Sequence, residues 1–518
     1  MIRSLTGLGK IKRWFGAALI AAGASASILG SGDNLSYWMN EGAHYGGDYL
    51  IHVLDHACHD LTDTSSSVIL GDKVDFSEMA EASLRTGTQA VQNPTLAAEK
   101  SWDSLKPFSE TQSGLFKNQL QNSQSVLGSL ETILGFGSKY ASAWAQSQGI
   151  AGSLDLAELN GNNNNPKALL DSLAQYKIND LQIKGVNGNT SSVSAYSPSG
   201  PTGLLGFPRK DQYFYYDDNS WIGLDLIQAY SQTHDSKYLI QAQQLFKFIR
   251  TGQEAAGGMN WREQNGTKSQ GINTIATGSS SEFALQLYFA SQSKTLAEKE
   301  QRQEYLNFAE KNMYFLNTHL RNEEGLYEDH QGSDSSAKAI YSYNQGVGLG
   351  ANALLAKAYY QKYQEDPAKN TEDLAKAENY LALANQTATA SIKYFSQTVG
   401  LKKTEEETRL WKQPPAFNAI YFRNLLALGR TVQQVGKTIP DLSKEVNTAE
   451  QNSKNGGALL KNYLQAAWNL ARDPKTGLFD RDGIGHYGGS SPDYLDQSAF
   501  VQMYSLLGIS GQNLYRSM

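Results

Sequence analysis

The sequence predicts an all-α fold of stacked helical hairpins, closed into an (α/α)6 barrel or left as an open helical array. Three observations predict it. The pattern Y-L-x-x-A recurs at Tyr238–Ala242, Tyr305–Ala309, Tyr380–Ala384 and Tyr463–Ala467, with starts 67, 75 and 83 residues apart. An Ala one helical turn after a Tyr lets a second helix approach closely on that face. A helix pair that cannot bury itself must stack on copies of itself, and residues 76–518 hold six units at this spacing. Strand signals are few and short, which argues against a mainly β fold. With 40% hydrophobic and 19% charged residues in 518, the chain can bury a large core. A net charge of −6 excludes the broad basic surface of a nucleic-acid binder.

In chain order, residues 1–30 read as an export signal or an uncleaved N-terminal anchor. Lys10, Lys12 and Arg13 precede an apolar, small-residue run from Trp14 to Leu29, and Ala24-Ser25-Ala26 gives a cleavage pattern near Ala26. The expected location is therefore secreted or cell-surface. Residues 31–75 form a polar extension containing His44, His52, His56 and His59. His52 and His56 would share a helix face, but no complete ligand set accompanies them, so no metal is expected. Nor does any motif call for a cofactor. The single cysteine, Cys58, rules out an intrachain disulfide, so the core must carry stability.

Apolar spacing over Leu115–Leu134 predicts a helix, and the Gly-, Ser-, Asn- and Pro-rich stretch 185–209 predicts a long loop. Helices are then predicted over about 220–230 and 236–249, with a further helix at 347–360. Between helices stand the unusual residues: Asp217-Asp218 framed by aromatics, Gly257-Gly258-Met259-Asn260-Trp261-Arg262, Tyr341-Ser342-Tyr343-Asn344-Gln345-Gly346, Phe417-Asn418-Ala419 and Phe479-Asp480-Arg481-Asp482. In a helical ring, alternate helix ends gather at one mouth, so such residues can converge. Adjacent carboxyls beside flat rings suit glycoside chemistry, where one carboxyl donates a proton and the other attacks or activates water. Asp480 and Asp482 lack a full calcium loop and read as a turn. Arg262 and Arg423 read as ion-pair partners.

These segments resemble glycoside hydrolase family 76, the retaining endo-α-1,6-mannanases. The resemblance rests on YYDDNSWIGLDLIQAY at 215–230, HDSKYLIQAQQLFKFI at 234–249, GGMNWR at 257–262, YSYNQGVGLGANALL at 341–355 and, more loosely, FNAIYFRNLLAL at 417–428. It implies an (α/α)6 barrel, a polysaccharide or oligosaccharide partner of the α-mannan type, Asp217 as nucleophile and Asp218 as general acid/base. Trp261 is expected either to stack on a sugar or to pack its loop. Tyr343, Asn344 and Gln345 are expected to line the groove, with Phe417 as groove wall or core. Tyr216, Asn219 and Asn273 complete the candidate substrate-binding set. The chain departs from the family pattern at Thr277, where an Asn is usual, and at Asn418-Ala419, where Lys-Gly is common, so altered subsites are expected there. The alternatives to hydrolysis are transglycosylation and non-hydrolytic glycan binding through the same groove.

Overall fold

The computed structural model describes residues 87–110, 114–118, 140–161, 164–184, 190–200, 213–264, 267–268, 271–402, 405–433, 440–480 and 492–512. The chain divides into two units, Met1–Lys73 and Val74–Met518, and all described residues belong to the second. The signal segment, the histidine-bearing extension with Cys58, Asp482 and most of the helix expected after Leu115 lie outside the described residues.

Twelve α-helices build the barrel: α1 (Pro94–Asp103), α2 (Ala143–Asn160), α3 (Asn164–Ser172), α4 (Tyr216–Thr233), α5 (Ser236–Ile249), α6 (Thr274–Ala290), α7 (Leu296–Phe315), α8 (Ser342–Glu365), α9 (Thr371–Phe395), α10 (Pro415–Gln433), α11 (Pro440–Leu470) and α12 (Tyr494–Gln512). The even-numbered helices pack in sequence order, and α12 returns to pack on α2, closing an inner ring of six. The odd-numbered helices cover them from outside: α5 leans on α4, α7 on α6, α9 on α8, α11 on α10, α1 on α12 and α3 on α2. This is an (α/α)6 barrel. No described helix is long and apolar enough to cross a membrane.

The Y-L-x-x-A repeat falls on the outer helices α5, α7, α9 and α11, and all eight of its Tyr and Ala residues are buried. Its period is thus the barrel's period. The inner helices are instead buried on nearly every face and carry small residues where they touch. Gly346 of α8 is an example: a Cβ there would lie 2.8 Å from the Tyr421 Cα of α10, so a larger residue would push the two inner helices apart. Local signals set the helix starts. Ser142, Asp235 and Asn273 cap α2, α5 and α6 by accepting from Ala145, Lys237 and Ala276 amides, and Thr295 with Glu298 forms a capping box on α7. His234, with φ 56, ends α4 and turns the chain into α5 within two residues.

Several sequence expectations change. The stretch read as a long loop contains β2 (Thr190–Tyr196), antiparallel to β1 (Lys177–Lys184). Val193, Ala195 and Tyr196 are buried, a pattern hidden by the polar residues around them. Leu115 lies in a two-residue strand paired with Ser109–Glu110, not in a helix. α4 begins at Tyr216 and α8 at Ser342, each earlier than periodicity predicts, because polar first turns carry no apolar stripe.

Candidate active site

The first turns of the inner helices meet at one mouth of the barrel. Tyr343 of α8 stacks on Phe417 of α10 with ring centroids 3.7 Å apart, and Trp144 of α2 reaches the same Phe417 at 6.1 Å. Trp221 of α4 and Tyr343 pack on the buried cluster Ile275, Val347 and Ile420, from α6, α8 and α10.

Asp217 and Asp218 occupy the first turn of α4, inside the helix; the cap position belongs to Tyr215. They are 6% and 3% exposed. The short strand Phe214–Tyr215 pairs with Arg262–Gln264 and thereby brings the Trp261 loop alongside the acids. Trp261 Nε1 donates to Asp217 Oδ2 at 3.3 Å, while the Tyr215 ring meets the indole edge-on at 5.0 Å. Arg262 lies over the Tyr213 ring at 4.1 Å.

The two carboxyls sit in unequal surroundings. Burial pushes Asp217 up to about 7; the amides at the helix start and Trp261 oppose the rise, and the charge of Asp329 adds to it. Burial pushes Asp218 well above the carboxylate range, and the neighbouring Asp217 charge pushes it further. The helix start and the indole favour an anion on Asp217. A shared negative charge therefore rests on Asp217, and the proton rests on Asp218.

Asp329 was not among the residues expected from sequence. It is buried and accepts from Asn344 Nδ2 at 2.9 Å, and His330 Nδ1 lies 3.0 Å from its other oxygen. That contact raises the His330 pKa. A signal for Asp329 was present. Gly257-Gly258-Met259 and Gly325-Leu326-Tyr327 are equivalent turns whose first glycine has positive φ, and Trp261 and Asp329 each follow two residues later. Among the described residues, no group of three or more His, Cys, Asp or Glu is placed to hold a metal ion.

Three of the expected groove residues belong to the scaffold. Tyr216 is fully buried, stacked on Phe248 at 4.8 Å with its hydroxyl on Glu263. Asn219 grips the Tyr196 backbone, accepting from its N at 2.7 Å and donating to its O at 3.1 Å. Gln345 does the same to Tyr327, at 2.8 Å in both directions. These contacts follow a rule. The fourth residue of every inner helix holds the backbone of a preceding segment: Gln146 on Gly114, Asn219 on Tyr196, Thr277 on Met259, Gln345 on Tyr327, Asn418 on Leu410 and Gln497 on Phe479. Thr277 and Asn418, where altered subsites were expected, are buried members of this set. Asn273 caps α6. The expected residues gathered near the acids are Trp261 and, through Asp329, Asn344, while the Tyr343–Phe417 pair forms an aromatic wall. Arg423 pairs with Asp155 at 2.6 Å below the mouth.

The model of glycosyl hydrolase family 76 matches residues 144–481, which spans every inner helix but the last. The chain belongs to glycosyl hydrolase family 76. No curated protein matches it. Similar solved structures include a family 76 glycoside hydrolase from a bovine Bacteroides thetaiotaomicron strain, at 20% identity and TM-score 0.57 over 80% of this chain and 78% of that one. A family 76 mannosidase from B. thetaiotaomicron VPI-5482 matches at 18% identity and TM-score 0.56 over 81% and 100%. An inactive variant of the α-1,6-mannanase of Salegentibacter sp. HEL1_6, in complex with α-1,6-mannotetrose, matches at 18% and TM-score 0.52 over 80% and 99%. These solved structures share the barrel of this chain.

Proposed function

We propose that this protein is a retaining endo-glycosidase that cuts internal α-1,6-linked mannosides of a cell-wall or environmental polysaccharide. The observation that carries the reading is the asymmetry of the buried pair: Asp217 is held by an indole N–H and helix-start amides, whereas Asp218 is raised by burial and by its neighbour. A carboxylate beside a carboxylic acid is the starting state of double displacement. Asp217 attacks the anomeric carbon as Asp218 gives its proton to the departing glycosidic oxygen. A glycosyl ester on Asp217 results. Asp218, now ionised, takes a proton from water, which attacks the anomeric carbon and frees Asp217 with net retention. An acceptor sugar in place of that water would give transglycosylation.

The relative solved with α-1,6-mannotetrose supports this choice of glycan. The aromatic wall of Tyr343 and Phe417 supports a groove for a chain, since ring faces cover the apolar faces of sugars. The reading extends to organisation and location: residues 76–518 form the catalytic domain, and residues 1–30 direct export with cleavage near Ala26, which N-terminal sequencing of the mature protein tests.

The direct test of activity is incubation with linear α-1,6-mannan. Wild type is expected to release manno-oligosaccharides, and Asp217→Asn and Asp218→Asn to release none. Equal release from all three would sink the assignment of the pair. Tight mannan binding without release by wild type would favour a glycan-binding protein instead.

A further inference from the structure

The six inner helices share one register. The ninth residue of each, namely Ala151, Leu224, Glu282, Gly350, Arg423 or Gln502, lines a single cavity of about 130 Å³ inside the ring. Equal steps along the six helices therefore mark equal depths below the mouth. On α4 the cavity is lined by Trp221, Leu224, Asp225, Ile227, Gln228 and Ser231. Trp221, Leu224, Asp225 and Gln228 recur at three- and four-residue steps, so they form the inward stripe of the helix. Continued upward by one turn, that stripe ends on Asp217 and Asp218. Neither aspartate lines the cavity, and Trp221 stands between the two along α4.

Side chains on a helix lean toward its N-terminus, so the Trp221 indole covers the turn that carries both carboxyls. Its position is fixed from the opposite wall. Trp221 and Tyr343 pack on the buried cluster Ile275, Val347 and Ile420. Trp221, Val347 and Ile420 are each the sixth residue of their helix, so they form one apolar layer. That layer lies roughly 5 Å below the acid pair. Val347 and Ile420 are buried in it, whereas Trp221 is only partly buried.

A sugar whose anomeric carbon reaches Asp217 stands one helical turn above this layer, and the indole is the large apolar surface of α4 at that depth. The C–H face of a sugar ring is suited to such a surface. We propose that Trp221 determines specificity at the reacting sugar: it forms the floor of that subsite and sets the depth at which the ring rests against Asp217 and Asp218. The proposal rests on the glycosidase reading for the identity of the sugar. Its role differs from that of Trp261, which touches Asp217 through a hydrogen bond. Trp221 acts through the shape and apolar character of its ring.

The test measures binding without cleavage. The full chain carrying Asp217→Asn and Asp218→Asn is titrated with α-1,6-mannotetraose by calorimetry, alone and with Trp221→Phe, Trp221→Leu or Leu224→Ala added, and the melting temperature of each protein is recorded. Trp221→Leu keeps apolar packing on Ile275, Val347 and Ile420 but offers no ring; it is expected to weaken binding at least tenfold. Trp221→Phe retains a ring and is expected to stay within about threefold of the parent. Leu224→Ala trims the same stripe one turn lower and is expected to change affinity less than twofold, whatever it does to the melting temperature. Affinity within twofold of the parent in Trp221→Leu would overturn the proposal. So would equal losses in Trp221→Leu and Leu224→Ala, which would assign the effect to barrel stability, or no binding by the parent at all. Ring-dependent binding at Trp221 without any mannan cleavage by wild type would sink the hydrolase reading and leave this one standing. Cleavage by wild type with binding indifferent to Trp221 would do the reverse.

Discussion

The indole Nε1 of Trp261 donates to Oδ2 of Asp217 across 3.3 Å, and this contact helps keep the negative charge on Asp217 and off Asp218. Trp261→Phe keeps a ring beside Asp217 but removes the donor. Without it, the Asp217 pKa rises further, so the acidic limb of the kcat/KM profile moves to higher pH. A hydrogen bond to a charged group is worth about 1.5–3 kcal/mol. Given the length of this one, a roughly tenfold loss in kcat/KM is expected. A pH–rate series checks both, and an unmoved acidic limb would show that the indole does not tune Asp217.

Asp329→Asn acts in the opposite direction. Its charge raises the Asp217 pKa, so neutralising it lowers that pKa and shifts the acidic limb to lower pH. The His330 pKa, raised by Asp329, falls as well. NMR titration of the His330 ring together with the rate profile reads both shifts, and movement of the acidic limb upward would contradict the placement of Asp329.

The buried acids also predict how stability depends on pH. Asp155, Asp217, Asp218, Asp225 and Glu282 all have raised folded-state pKa values because burial penalises their charged forms, and Glu158 is raised to about 7. Groups of this kind bind more protons in the folded than in the unfolded chain. Their contribution is complete below the unfolded carboxylate range and is lost as pH rises through the folded values. The melting temperature is therefore expected to be higher near pH 5 than near pH 7.5. The double variant Asp217→Asn, Asp218→Asn should melt higher than wild type at pH 7.5 and show a smaller difference between the two conditions. Calorimetry at the two pH values measures this, and a higher melting temperature at pH 7.5 than at pH 5 in wild type would refute it.

Gln345 and Gln497 hold Tyr327 and Phe479 from equivalent positions, 18 residues further along the chain. Gln345→Ala or Gln497→Ala leaves a buried backbone N–H and C=O unsatisfied, at about 1–3 kcal/mol for each group. Each variant should lose roughly 2–4 kcal/mol in denaturant unfolding, yet keep the pH optimum of the folded fraction. A shifted optimum with unchanged stability would return Gln345 to the groove.

This set of contacts explains what was legible in the sequence and what was not. The ring of hairpins was legible because Tyr238, Tyr305, Tyr380 and Tyr463 pack every outer helix of that series alike. The Asp217-Asp218 pair was legible because two adjacent carboxyls in an aromatic frame are poor core residues. Asn219 and Gln345 were misread as groove residues because an amide that grips backbone and one that grips sugar have the same chemistry; only burial separates them. Thr277 looked like an altered subsite, but its hydroxyl accepts from the Met259 amide at 2.9 Å and keeps the same hold on the chain. Asp329 was missed because its equivalence to Trp261 lies in turn position and not in residue type.

The account turns on Asp217 as the nucleophile, and a trapped intermediate tests that most directly. Wild type is incubated with an activated, fluorine-substituted manno-oligosaccharyl fluoride, which needs little help from the general acid, and then analysed by intact-protein and peptide mass spectrometry. A single glycosyl adduct mapped to Asp217 is the expected result. An adduct on Asp218, or none while the reagent is turned over, would contradict it.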